Sequence, residues 1–110
     1  MTAHEDVVAV DVEASAQQLT LATEILAARS GVIILAGVVA VRPTRTELLC
    51  EVIDPMPSYH RCENEYEVLV ENARRALEAS TLQGLLPDLP CRWSVVEDCG
   101  SGARELWRAP

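Results

Sequence analysis

The feature that most constrains the fold is an uninterrupted apolar run in residues 31–41, which reads GVIILAGVVAV. β-Branched residues predominate in it, and such a run is typical of a strand, or a tight pair of strands, buried on both faces. We favour one long strand that bends by a bulge at Gly37. The alternative is a hairpin, VIIL and VVAV, that turns at Ala36 and Gly37. Ala36 suits that hairpin poorly, because a two-residue turn requires a positive φ there.

The segments on either side of this run predict further strands and a helix. Residues 7–12 place valines at alternate positions, as in a strand with one buried face. Ser15 and Gln18 form the Ser-x-x-Gln pattern of a capping box, which predicts the start of a helix with one apolar stripe. Residues 46–54 alternate again, and the short turn before them makes this strand an antiparallel neighbour of the central run.

The C-terminal half predicts a second helix and a hairpin. The helix begins near Asn64 and is amphipathic. Residues 82–90, which contain two prolines, are expected to form a loop. Residues 92–97 and 103–108 predict a β-hairpin whose register places the two tryptophans of the chain opposite each other.

These elements give the order β-α-β-β-α-β-β. A chain of 110 residues is the usual size of one domain. We expect residues 1–6 to be disordered and residues 7–110 to form a single α+β domain. The natural layer arrangement is a two-layer sandwich, with a mostly antiparallel sheet and two helices on one face, as in ferredoxin-like folds.

Composition argues against several classes of partner. The chain has no lysine, so its nine basic residues are all arginine, and seventeen acidic residues give a net charge of −8. That charge would repel nucleic acid and anionic membranes, and the apolar run is too short to cross a bilayer. The first residues lack the basic and apolar regions of a secretory signal. We therefore expect a soluble cytoplasmic protein, and the exclusive use of arginine is typical of a GC-rich, bacterial genome.

The cysteines and one histidine are weak candidates for catalysis or metal binding. His60 and Cys62 lie in the irregular segment 54–62, where the following helix N-terminus and Arg61 would favour a thiolate. A pocket formed there with Tyr59 would suit a small ligand or a thiol enzyme. The four cysteines are Cys50, Cys62, Cys91 and Cys99. Their spacing is not that of a zinc site, so we expect no bound metal and no cofactor. Because the sequence shows no export signal, we expect free thiols.

Three arginines of the predicted hairpin are candidate ligand-binding residues. In the predicted register Arg92 lies opposite Arg108, and Arg104 shares their face of the sheet. Three cations on one face of an acidic protein would suit a carboxylate or an acidic partner. The alternative is that each arginine pairs with one of the many acidic residues of the chain.

The sequence favours a function that depends on surface contacts. No set of side chains converges for catalysis, and several apolar residues fall on strand faces that we expect to be partly exposed. These residues are Leu49, Ile53, Val96 and Leu106. We therefore expect a non-enzymatic protein that acts by protein–protein interaction, as an accessory subunit, regulator or partner-binding module, and that self-associates. The alternative is the small ligand-binding protein or enzyme with Cys62 as its reactive thiol.

Overall fold

The computed structural model of the chain describes residues 6–28, 31–35, 37, 39–44, 46–54, 62–85, 89–98 and 103–110. Six strands and three helices form an α+β fold within them. The strands are β1 (Asp6–Val10), β2 (Gly31–Leu35), β3 (Val39–Pro43), β4 (Leu48–Ile53), β5 (Cys91–Asp98) and β6 (Ala103–Arg108). The helices are α1 (Ala16–Ala28), α2 (Glu63–Ala79) and α3 (Leu82–Leu85).

All six strands lie in one mixed sheet, in which their order across the sheet is their order along the chain. The pairs β1–β2 and β4–β5 are parallel, and the other neighbours are antiparallel. The helix α1 connects the first parallel pair and packs on it, and α2 does the same for the second pair. The β1–β2 pair and the β4–β5 pair are three strand spacings apart, and strands lie about 4.8 Å apart, so the axes of α1 and α2 lie about 14 Å apart. This separation exceeds the distance of about 8–10 Å between directly packed helices. The short α3 contacts both of them.

The central apolar run is a hairpin, so the predicted single bent strand is wrong. Its two halves are β2 and β3, in which Ile33 lies opposite Val41 and Leu35 opposite Val39. The loop between them has three residues rather than the two that the prediction considered, and Gly37 in it has a φ of 75°. Glycine adopts this conformation without steric cost. The sheet therefore has six strands instead of five, and the ferredoxin-like arrangement is not confirmed.

One apolar core lies between the inner face of the sheet and the helices. Alternate residues of each strand point into it, as the burial of Leu48, Cys50 and Val52 on β4 shows. The helices supply Ala22, Leu26, Tyr66, Val70, Ala73, Leu77 and Leu82 to the same cluster. All three helices thus cover one face, and none of the described helices covers the other.

A local capping signal explains how α1 begins, whereas α2 begins without one. At α1 the Ser15 N–H donates to Gln18 Oε1 at 3.1 Å, and the Gln18 N–H donates to Ser15 Oγ at 3.3 Å. The predicted capping box is therefore confirmed. At α2 the N-cap residue is Cys62, whose side chain makes no capping hydrogen bond.

The C-terminal hairpin is present, but its predicted register is wrong. Trp107 lies opposite Val95 rather than opposite Trp93, and a bulge follows between Val95 and Val96. The extra residue in β6 is Leu106, because Val96 pairs with Glu105. The Trp107 ring stacks on Tyr66, with centroids 6.4 Å apart. Residues 82–85 of the predicted loop 82–90 form α3 instead.

Candidate functional site

The face of the sheet that none of the described helices covers carries a shallow groove of about 210 Å³ across β4, β5 and β6. The residues that line it are Leu49, Cys50, Glu51, Arg92, Ser94, Val96, Glu105 and Arg108. Cys50 borders the groove from the core side, and strand pairing brings the other side chains together, since Leu49 lies opposite Arg92 and Ser94 lies between Glu51 and Arg108 in one row across the sheet. The groove is therefore a product of the register of three strands.

Two of the predicted arginines, Arg92 and Arg108, lie in this groove. They are diagonal neighbours rather than directly opposite each other, because Arg108 pairs with Ser94. Arg92 Nη2 lies 3.3 Å from Glu47 Oε1, and Arg108 Nη2 lies 3.0 Å from Glu105 Oε2. Both guanidinium groups are about half exposed. Ion pairs of this kind contribute no more than about 1 kcal/mol, so a carboxylate from a ligand can replace the internal partner at small cost.

The third predicted arginine, Arg104, lies on the other face. It pairs with Glu97, at 3.2 Å between Arg104 Nη2 and Glu97 Oε2. This pair is one position away from Val96 and Glu105, whose side chains line the groove, and successive strand residues alternate between faces. The prediction that all three arginines share one face is therefore wrong. The prediction failed because of the bulge. The extra residue Leu106 places Arg104 and Glu105 on the faces opposite to those that regular alternation from Arg108 would give.

The apolar part of this face is smaller than the sequence suggests. Leu49 and Ile53 are half-buried, and Val96 is buried although no described helix covers it. Leu106 packs against the core from its position in the bulge. Leu49 is therefore the apolar residue of the groove that a ligand could contact, and the long side chains of Arg92 and Glu51 flank it.

The described thiols differ in accessibility. Cys50, Cys62 and Cys91 are free. Cys50 is 1% exposed, and burial, with a smaller contribution from the neighbouring Cys91 thiol, raises the pKa of Cys50 far above its usual range. Cys50 is therefore a neutral packing residue and a poor nucleophile. Cys62 is exposed at the start of α2 and is the thiol that a reagent or substrate can reach.

The predicted pocket in segment 54–62 is described only at its two ends. Asp54 is buried, and its N–H donates to the Val96 carbonyl oxygen at 3.0 Å. Cys62 is at the other end, while Tyr59, His60 and Arg61, like Cys99, lie outside the described residues. Across the described part of the chain, no three metal-ligating side chains converge.

The sequence also places Ser94 on the face of Arg92 and Arg108, as the groove has it, but sequence reasoning missed Glu51 and Glu105. Glu51 could have been found from strand alternation, because it occupies the outward position of β4 that follows Leu49. Glu105 could not, because its facing depends on the bulge. None of the helices in the described segments is long and apolar enough to cross a bilayer. The chain matches no family, and searches of characterised proteins and of solved structures give no significant match.

Proposed function

We propose that this is a non-enzymatic interaction protein, an accessory subunit or regulator, that self-associates and binds a partner protein through the groove on the sheet face opposite the described helices. The observation that carries the proposal is the position of the groove. The described helices all cover one face, and the other face combines the apolar Leu49 with the half-exposed guanidinium groups of Arg92 and Arg108. Arginine beside an apolar surface is typical of protein interfaces.

The charges of the groove define the partner that it would accept. Two cations, Arg92 and Arg108, and two anions, Glu51 and Glu105, line it, so the groove is locally neutral in a chain of net charge −8. A partner segment with a carboxylate for each arginine and an apolar side chain for Leu49 would form bidentate ion pairs, which are stronger than the internal contacts. Such a segment would be repelled by most of the remaining acidic surface, which favours binding at this groove.

The experiment is affinity capture with matched variants. The immobilised protein is exposed to extract of its source organism, and retained proteins are identified by mass spectrometry. The double variant Arg92→Glu and Arg108→Glu should reduce retention of a specific protein at least about tenfold, because it reverses both charges that contact the partner. The control Arg75→Glu reverses an exposed charge on α2, on the other side of the sheet, and should retain the partner. Equal retention by both variants, or no specific protein retained by the unmodified chain, would contradict the proposal.

The exposed position of Cys62 at the N-cap of α2 supports a second candidate function, thiol chemistry. The side chain of Cys62 makes no capping hydrogen bond, and it is exposed where a substrate or reagent can reach it. The rate of alkylation of Cys62 at neutral pH, compared with that of free cysteine in solution, tests it. A rate no higher than that of free cysteine rules this candidate out.

A further inference from the structure

The two edges of the sheet are protected very differently. The edge strand β6 carries Arg104, Glu105 and Arg108 and contains a bulge. Charges and bulges are devices by which natural sheets prevent their edges from pairing with other chains. The opposite edge strand, β1, reads DVVAV, pairs without irregularity with β2, and has Val7 61% exposed. From Val7 to Val10 this strand is apolar and regular, and none of the described strands pairs with its outer edge, so the edge suits pairing with another strand.

The helix beside this edge is also uncharged on the side that faces outward. Crossovers between parallel strands are right-handed, and helical residues advance by about 100° each, so the side of α1 above the free edge of β1 carries Gln17, Leu21 and Ala28. Leu21 is 50% exposed at the middle of the helix. The exposed face of α2, in contrast, carries ion pairs such as that between Glu71 and Arg75.

We propose that the partner for self-association is a second copy of the chain, docked through β1 and α1. A two-fold axis perpendicular to the sheet at Val8 would pair the two β1 strands antiparallel and join the two sheets into one. This inference rests on the self-association in the proposed function, and it names the surface.

The spacing of the layers fits this arrangement. Helix α1 packs on both β1 and β2, so it lies about half a strand spacing inside the edge. Pairing the two β1 strands then places the two α1 helices two strand spacings apart, which is about 10 Å. Packed helices lie 8–10 Å apart. The same pairing would therefore form main-chain hydrogen bonds between the two β1 strands and side-chain contacts between the two α1 helices.

The side chains of α1 are complementary about such an axis. Leu21 would contact its own copy, and on the solvent side of the helix pair Gln17 would lie close to Glu24 of the second copy, an amide donor beside a carboxylate. The helix is about 20 Å long, so the interface would be at the small end of the standard size class. We therefore expect a dimer with a micromolar dissociation constant rather than an obligate one.

The test is the mass in solution, measured by sedimentation from about 1 to about 200 µM, a range that spans micromolar dissociation constants. The unmodified chain should approach twice its 12.0 kDa mass. The variant Leu21→Asp should raise the dissociation constant at least about tenfold, because it places two carboxylates against each other on the axis. The control Val68→Asp also introduces an aspartate at an exposed apolar residue, but on α2, where Val68 is 58% exposed. It should dimerise as the unmodified chain does. Val7→Asp tests the sheet layer and should also weaken the dimer.

Three outcomes would overturn the inference. They are a monomer at every concentration, unchanged dimerisation of Leu21→Asp, and loss of the dimer in Leu49→Asp but not in Leu21→Asp. The last result would place self-association at the groove. A monomer that still captures a partner through Arg92 and Arg108 would refute the dimer and leave partner binding standing. A dimer that captures nothing would do the reverse.

Discussion

The buried thiol of Cys50 should make the protein lose stability as the pH rises above about 9. A thiol in the unfolded chain ionises near the ordinary cysteine pKa of 9.0, whereas burial keeps Cys50 protonated in the folded chain well beyond that pH. Above pH 9 the unfolded state therefore binds fewer protons than the folded state. The free energy of unfolding then falls by about 1.4 kcal/mol per pH unit.

Between pH 8 and pH 10.5 this loss amounts to about 2 kcal/mol, which is a large fraction of the total stability of an ordinary domain. The alkaline range is unusually simple in this protein, because the chain has no lysine. Only four cysteines, two tyrosines and the terminal amine lose protons there, and the contribution of one thiol can be isolated by substitution.

The assay is urea denaturation, followed by tryptophan fluorescence, at several values of pH from 8 to 10.5. The variant Cys50→Ala should lose about 2 kcal/mol less than the unmodified protein over this range, apart from an offset that is the same at every pH. The control Cys62→Ala removes an exposed thiol and should follow the unmodified protein. If the stability of Cys50→Ala fell as steeply as that of the unmodified chain, the assignment of the effect to this buried thiol would be refuted.

Three further predictions test the described structure. Gly37→Ala should lower the free energy of unfolding by about 1 kcal/mol in urea denaturation. The cost comes from the positive φ of Gly37 alone, because the added Cβ meets no atom within 4 Å. If the free energy of unfolding did not fall, this φ would not be required. In the same assay Ile33→Ala should lower the free energy of unfolding by about 2–5 kcal/mol, and Val7→Ala should lower it by no more than about 0.5 kcal/mol. Similar losses would contradict the burial of Ile33 and the exposure of Val7. In the folded protein iodoacetamide should label Cys62 and should label Cys50 only on unfolding, as mapped by mass spectrometry; equal labelling would contradict the burial of Cys50.

Features that depend on local chemistry could be predicted from the sequence. The capping box at Ser15 joins residues three apart, and its hydrogen bonds form as the pattern indicates. The strand β4 could be predicted because it has one buried face, which leaves a period of two in its residues. The antiparallel pairing of β3 and β4 follows from the short turn between them.

Features that depend on packing between distant segments could not be predicted. The hairpin in residues 31–41 is apolar on both strands, so periodicity could not show where the chain reverses, and only Gly37 marked the turn. The bulge in β6 accompanies the stacking of Trp107 on Tyr66, which is 41 positions earlier in the chain. Because one extra residue changes the facing of those beyond it, the same bulge separated Arg104 from the two arginines that do share the groove.

The order of the strands has a consequence for synthesis of the chain. Each strand after β1 has the preceding strand in the sequence as its neighbour, and only the pairing of β5 with β4 has to wait for a long intervening segment, which contains α2 and α3. Contacts close in sequence form with small loss of chain entropy and speed folding. During translation each new strand can add to a growing sheet whose receiving edge is already in place, and β6, with its charges and bulge, ends that growth.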